Sequence, residues 1–239
     1  MRLIVKNAIN TIVAAYEQEL KAAKLDKESL AHGQHAGKRP RDLFEDGVKR
    51  LPSYIKLCQH MLMEQGYTCC YCGCRLPHDT IPKFVIEHLV PISHDITGVG
   101  EYHNMMIACD GGERSELPAG VKRGKALHCD RSKSEQILSV TPLQPDCERR
   151  FIYHNDGTIS PVEGDAEAQS TIKILCLSSP LLCSARQQVI NSLLYESDGT
   201  LLPDSDLRLI ASAMQKKDRD GAYLPYSFAV QKVIEELLY

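Results

Sequence analysis

The segment CCYCGC, residues 69–74, places four cysteines within six positions, and this density constrains the fold more than any other feature of the sequence. Three kinds of chemistry use cysteines at such spacing: disulfide bonds, metal coordination and reactive thiols. Each of them requires a different setting in the rest of the chain. The remaining sequence therefore has to distinguish between them.

The composition argues against a disulfide scaffold. The chain has 239 residues, ten of them cysteine, and 43% of its residues are hydrophobic, enough for an apolar core that needs no disulfides. The opening stretch, MRLIVKNAINTIVAAYEQEL, lacks the pattern of a signal peptide. No apolar run approaches the roughly 20 residues that span a bilayer. We therefore expect a cytoplasmic protein without membrane contact, whose cysteines bind metal.

The charge excludes a protein that is basic over its whole surface, because the formal net charge is −3. Any contact with nucleic acid is therefore expected to use a local basic patch. Residues 38–41 and residues 112–133 are the two candidates.

Two cysteine pairs form a candidate zinc site. Cys69 and Cys72 are a C-x-x-C pair in a turn that Gly73 can close, and two thiolates at this spacing can bind one cation. Cys109 and Cys129 flank a charged, glycine-rich segment and supply the second pair. These four cysteines are the predicted zinc ligands.

Alternatives to this ligand set remain open. Cys74 or Cys147 could replace one of the four ligands. A redox-active C-x-x-C is the competing interpretation of the first pair, but redox motifs favour a helix N-terminus in a βαβ setting. Here a short β-type run follows instead, which favours the metal.

Hydrophobic periodicity predicts an α+β chain that is mainly helical, with a small β motif embedded in it. We expect an N-terminal helical region at 1–65, a core at 66–135 that carries the cysteines, and a C-terminal hairpin and helical region at 136–239 packed on that core. The predicted helices cover about 7–31, 53–65, 167–196, 204–218 and 226–238, and a β-hairpin is expected to turn at Asp156-Gly157.

A glutamate and a histidine lie together at the end of the β-type run in KFVIEHLVPIS, residues 83–93. Side chains of consecutive strand residues face opposite sides, so Glu87 and His88 can serve different purposes. One can bind a metal while the neutral imidazole accepts a proton from water. Further along, the segments HNMMIAC and HCDRSK supply more polar candidates: Asn104, His128, Asp130 and Lys133.

The order C-x-x-C, E-H-x-x-P, N-x-x-x-x-C and C-D-x-x-K over residues 69–133 resembles the HNH endonucleases, which carry a ββα-metal motif on a zinc-stapled scaffold. The frame made by CCYCG, IEHLVP, ACDGG and HCDRSK is similar to the PtuB-like HNH nucleases of Septu and retron anti-phage systems. This resemblance implies metal-dependent hydrolysis of phosphodiester bonds by an effector of a defence complex.

The resemblance also implies a role for each matching residue. His88 takes the place of the general base, and Glu87 that of a ligand of a catalytic divalent cation, usually Mg²⁺. Asn104 takes the position that holds the loop between the two strands. Asp130 takes the position of the second ligand of that cation. The matching zinc positions are Cys69, Cys72, Cys109 and Cys129.

Two further residues complete the expected site. Lys133 lies one helical turn after Asp130, where it could contact a phosphate. His128 is a rival of Asp130 for the last ligand position of the catalytic cation. Asp130 is preferred because a carboxylate is a hard oxygen ligand that suits Mg²⁺.

The resemblance implies partners as well. These are a PtuA-type ATPase and, in retron systems, a reverse transcriptase with its multicopy single-stranded DNA. The chain has no Walker-type G-x-x-x-x-G-K-[ST] sequence, so ATP chemistry would come from the partner. Duplex DNA is the expected target and an RNA such as tRNA the alternative. A zinc-stabilised module that binds nucleic acid or protein without cutting it is the competing functional interpretation.

Overall fold

The computed structural model describes residues 1–76, 84–113 and 127–238, and it shows a mixed fold of helices and two small sheets. The N-terminal helices are α1 (Thr11–Ala22), α2 (Lys27–Ala31), α3 (Pro40–Asp42) and α4 (Tyr54–Glu64). The central elements are β1 (Phe84–His88), β2 (Met105–Cys109) and α5 (Asp130–Lys133). The C-terminal elements are β3 (Phe151–Tyr153), β4 (Ile159–Pro161), α6 (Ala166–Ile174), α7 (Pro180–Leu194), α8 (Asp204–Met214) and α9 (Ser227–Leu237). Most basic residues of the candidate patch at 112–133, namely Arg114, Lys122, Arg123 and Lys125, lie outside the described residues.

The prediction of a single helix over 7–31 is wrong, because this stretch forms two helices, each begun by its own capping residue. The side chains of Asn10 and Asp26 accept hydrogen bonds from backbone amides at 2.8 and 3.2 Å and begin α1 and α2. Between these helices Lys24 adopts a left-handed conformation with φ of 57°. The hydrophobic pattern is continuous across this break, which is why periodicity alone missed it.

The helix predicted over 167–196 is also two helices. Cys176 has φ of 47°, which ends the helical path after α6. Ser179 then caps α7 by accepting a hydrogen bond from the Leu182 amide, and Pro180 occupies the first turn, where its missing N–H costs nothing. The helix expected over 53–65 is present as α4, and those expected over 204–218 and 226–238 are present as α8 and α9.

The two central strands form an antiparallel hairpin that presents the polar residues singled out in the sequence. Glu87 pairs with Met106 and His88 with Met105, so both polar residues lie at the end of the sheet. Every residue of β2 is buried, and α4 packs against it. The side-chain amide of Gln65 exchanges two hydrogen bonds with the backbone of Ile107, each 2.8 Å long.

The C-terminal region docks on the cysteine-bearing turn through its backbone. The amide of Tyr223 donates to the Gly66 carbonyl at 3.0 Å, and the amide of Tyr226 donates to the Gly73 carbonyl at 2.8 Å. The buried apolar side chains of all three predicted regions join one core. The boundaries of these regions stay a prediction. No helix within the described residues is long and apolar enough to cross a membrane.

The second hairpin turns at Asp156-Gly157, as the sequence predicts, with Tyr153 paired to Ile159. A second turn in the chain has the same sequence. Gly157 and Gly199 both lie in Asp-Gly-Thr turns, with φ of 79° and 85°. In each turn the aspartate carboxylate accepts a hydrogen bond of 2.9 Å from the threonine amide. The two turns differ in what lies beside the glycine.

We expect Gly157→Ala to destabilise the protein much more than Gly199→Ala. Both substitutions add a Cβ to a left-handed residue, at about 1–2 kcal/mol. At Gly157 that Cβ would also lie 2.1 Å from the Cys183 carbonyl oxygen on α7, whereas nothing lies within 4 Å at Gly199. Urea unfolding of the two variants measures the difference directly. Equal losses of unfolding free energy would contradict the close contact between the turn and α7.

Candidate active site and metal centre

The cysteine-rich segment folds into a tight turn that gathers its thiols on one side. The amide of Gly73 donates to the Cys69 carbonyl at 3.0 Å, and the amide of Cys69 donates to the Cys74 carbonyl at 2.9 Å. Gly73 has φ of 76°, which a side chain would disfavour. The turn thereby closes as the C-x-x-C spacing predicts.

The four predicted zinc ligands come together although they are distant in sequence. The sulfurs of Cys69, Cys72 and Cys109 lie within 4.8 Å of one another, as do those of Cys72, Cys109 and Cys129. The remaining pair, Cys69 and Cys129, is separated by 3.9 Å. A tetrahedral ion with Zn–S bonds of about 2.3 Å places its sulfurs about 3.8 Å apart. The cluster therefore has the dimensions of a four-thiolate zinc site.

Two further donors face the same cluster. The sulfur of Cys74 lies within 4.8 Å of those of Cys69, Cys72 and Cys109. Nδ1 of His128 lies 3.2 Å from the sulfur of Cys129. His128 thus sits with the thiols, and its alternative role as a ligand of the catalytic cation stays a prediction.

Cys147, the other substitute considered, belongs to neither group of candidate ligands among the described residues. The choice of four ligands from Cys69, Cys72, Cys74, Cys109, Cys129 and His128 stays a prediction.

Electrostatics divides the cluster: the pKa values of Cys69 and Cys72 lie below the usual value, whereas burial raises the pKa of Cys129. The hydrogen bond with Cys129 lowers the pKa of Cys109, but those with Cys69 and Cys72 raise it above the usual value. Burial by itself raises the pKa of Cys69, but hydrogen bonds with Cys109 and Cys129 outweigh it and hold that pKa well below its usual value. The hydrogen bond from Cys109 likewise lowers the pKa of Cys72. Thiolates and an imidazole are the donors that zinc prefers, so the residues present fit this metal.

Glu87 stands in a buried polar site on the other side of β1, only 3% exposed. Its Oε1 lies 2.6 Å from Nζ of Lys133 and accepts a hydrogen bond of 3.1 Å from the hydroxyl of Tyr71. Burial raises the pKa of Glu87 to about 8, helped by a hydrogen bond with Asp130 and opposed by the charge of Lys133. The carboxyl groups of Glu87 and Asp130 therefore lie close enough to affect each other's ionisation. The structure brings these two predicted cation ligands together.

His88 is held in a single orientation by two contacts. Its Nε2 lies 3.1 Å from the Val99 carbonyl, which can only accept, so Nε2 carries the proton and Nδ1 is the basic nitrogen. The ring edge of Phe44 packs on the imidazole with centroids 4.8 Å apart. Burial lowers the pKa of His88 to about 4, so the ring is neutral near pH 7. A neutral, oriented imidazole is what a general base requires.

Asn104 fastens the loop between the two central strands. Its Oδ1 accepts a hydrogen bond from the Val90 amide at 2.8 Å, and its Nδ2 donates to the carbonyls of Val90 and Gly98 at 3.0 and 3.2 Å. These bonds join Val90 to Gly98, the residue directly before Val99, whose carbonyl holds His88. The placement agrees with the loop-holding role that the resemblance implies, and the wider role of Asn104 in the site stays a prediction.

Lys133 points into the protein rather than toward solvent. Its side chain is 1% exposed, and besides Glu87 its Nζ binds the His88 carbonyl at 3.0 Å. The expected contact of Lys133 with a phosphate stays a prediction, and in this structure its charge is directed at Glu87.

Sequence reasoning missed two residues of this site. Tyr71 lies inside the cysteine-rich turn, yet its hydroxyl reaches Glu87, and its position between two metal-ligand candidates was the available signal. Phe44 lies in a π-helical turn at Leu43–Gly47, and no sequence pattern linked it to His88.

No protein-family model matches the chain. The chain is 27% identical over 157 residues to "Retron Vc95 putative HNH endonuclease" of Vibrio cholerae serotype O1 biovar El Tor, a match that covers 62% of this chain and 68% of that relative. It is 26% identical over 175 residues to "Retron Ec83 putative HNH endonuclease" of Escherichia coli, covering 57% of this chain and 65% of that relative. The chain thus spans about two thirds of these relatives, and their names agree with the HNH resemblance.

Removal of the first cysteine pair should remove the metal. We expect purified wild-type protein to carry about one zinc per chain and the Cys69→Ser/Cys72→Ser variant to carry none. The variant should also melt at a lower temperature, because metal binding contributes folding free energy to the turn. Elemental analysis and thermal melting of the same samples test both expectations.

The matched control is Cys176→Ser/Cys183→Ser, since neither of these cysteines belongs to a candidate ligand group. It should keep its zinc. A well-folded wild type without zinc would overturn the metal assignment.

Proposed function

We propose that this chain is a metal-dependent HNH endonuclease that hydrolyses phosphodiester bonds in nucleic acid and serves as an effector of anti-phage defence. The observation that carries the proposal is the β1–β2–α5 unit, which brings the carboxyl groups of Glu87 and Asp130 together next to a neutral, oriented His88. The names of the two relatives support the same class of enzyme.

Hydrolysis of a phosphodiester needs an activated water and compensation of the charge that develops on the phosphate. Glu87 and Asp130 offer the oxygen ligands that Mg²⁺ prefers, so these residues fit the expected cation. When bound, a divalent cation would supply charge neutralisation at the phosphate and the leaving oxygen.

His88 receives the proton of the attacking water at Nδ1. Its Nε2–H remains on the Val99 carbonyl during this transfer, which keeps the ring in place. Asn104 holds the loop that carries this carbonyl, so its contribution is to the orientation of the base.

The thiol cluster has a structural purpose in this proposal. A two-stranded hairpin and the single-turn helix α5 bury too little surface to be stable alone. Zinc held by Cys69, Cys72, Cys109 and Cys129 would join the three chain segments that build the site. This ligand set keeps Cys74 and His128 beside the metal, outside its coordination shell.

The retron setting of the named relatives supports a partner-controlled effector. In this proposal a PtuA-type ATPase supplies the ATP chemistry, and a retron reverse transcriptase with its multicopy single-stranded DNA supplies the control. Duplex DNA is the proposed target and a structured RNA the alternative, because a site that acts on the phosphate carries little base information.

His88→Ala should abolish cleavage by the assembled complex while the protein stays folded and keeps its zinc. Removal of a general base typically costs about 10²–10⁴-fold in rate. His32→Ala is the matched control, since His32 is exposed and its ring bonds to the Glu28 carbonyl one turn earlier in the chain. Cleavage of plasmid DNA and of tRNA is followed for all three proteins. Wild-type rates in a folded His88→Ala complex would refute the proposed mechanism.

A further inference from the structure

We propose that Tyr71 is a positioning residue for the catalytic cation: its hydroxyl orients the Glu87 carboxylate, so the thiol cluster sets the geometry of the active site. This inference rests on the proposed function. It assigns to the cysteine-rich turn a second role beside its role as a structural staple.

The turn places Tyr71 between the two sites. Its neighbours in the chain are fixed, because the Cys70 amide donates to the Ile107 carbonyl at 3.1 Å and Cys72 belongs to the thiol cluster. The Tyr71 side chain is 1% exposed and crosses the core to reach Oε1 of Glu87 at 3.1 Å. A shift of the metal-bound turn would therefore move the hydroxyl that holds the carboxylate.

The two oxygens of Glu87 are used differently. Oε1 receives both the Tyr71 hydroxyl and the Lys133 ammonium, at 3.1 and 2.6 Å. The ammonium is itself held by the His88 carbonyl at 3.0 Å. With Oε1 held by two donors, the orientation of the Glu87 carboxylate toward the proposed cation is set. Partners that orient ligating carboxylates in this way commonly decide metal affinity.

The direction in which cation affinity changes distinguishes a positioning role from a purely electrostatic one. A hydroxyl donor and a buried ammonium both withdraw negative charge from Glu87, so by charge alone their removal would tighten cation binding. If they act by orientation, their removal weakens it. Tyr71→Phe keeps the ring and its packing, and thus tests the hydroxyl alone.

The experiment is a titration of zinc-loaded, full-length protein with Mn²⁺, followed by electron paramagnetic resonance of the free ion. Glu87→Gln locates the site, and we expect it to lose binding. We expect Tyr71→Phe to weaken Mn²⁺ binding about 10-fold. Tyr102→Phe is the matched control, because Tyr102 donates its hydroxyl to a different buried glutamate, Glu64. It should bind Mn²⁺ like the wild type.

The titrations are run at pH 6.5 and pH 8 to exclude an effect of Glu87 protonation. A loss of Mn²⁺ affinity caused by protonation would be smaller at the higher pH. A loss caused by orientation would persist at both pH values. Zinc content and melting temperature are measured on every sample. Lys133→Met, which removes the second donor to Oε1, is expected to weaken Mn²⁺ binding as well and replaces Tyr71→Phe if that variant fails to fold.

Unchanged or tighter Mn²⁺ binding by folded Tyr71→Phe, together with loss of binding in Glu87→Gln, would overturn the positioning role and leave the proposed function intact. Wild-type Mn²⁺ binding in Glu87→Gln is a different failure. It would overturn the cation site at Glu87, and with it both proposals.

Discussion

The convergence of thiols from three separate chain segments is the constraint on which the rest of the structure depends. The turn at 69–74, the end of β2 and the start of α5 meet there, and two of these points, the turn and the start of α5, lie next to a polar residue of the candidate site. Asp130 directly follows one cluster cysteine, and Tyr71 lies between two others. Little regular structure surrounds these points, so their relative placement depends on the cluster more than on strand or helix packing.

Buried charged side chains lie beside the thiol cluster, and the fold keeps them there by giving them hydrogen-bond partners. Placing Glu87 and Lys133 together away from water, next to the half-buried Asp130, is unfavourable unless the buried groups have partners. The observed bonds supply such partners for Glu87 and Lys133. A site organised in this way has its polar groups in place before substrate arrives, which is the condition under which electrostatic stabilisation is effective.

Sequence reasoning could predict the parts of this protein that local chemistry determines. The C-x-x-C turn, the strand that ends in Glu87 and His88, and the Asp156-Gly157 hairpin follow from spacing and turn residues. Helix breaks at Asp26 and Ser179 were missed because a capping side chain interrupts a hydrophobic pattern that continues on both sides. The contacts of Phe44 and Lys133 could not be predicted, since they depend on how distant segments pack, and for Tyr71 the sequence offered only its position between two cysteines.

The Gln65 amide has a consequence for how this protein can associate. By exchanging two hydrogen bonds with Ile107 it behaves as a one-residue strand beside β2, and the Cys70 amide also binds the Ile107 carbonyl. The backbone of the central hairpin is thereby occupied at that point, where another chain could otherwise pair with it. Strand addition at this edge is closed to both aggregating copies and binding partners. A partner that pairs its backbone with this protein would have to use another strand edge.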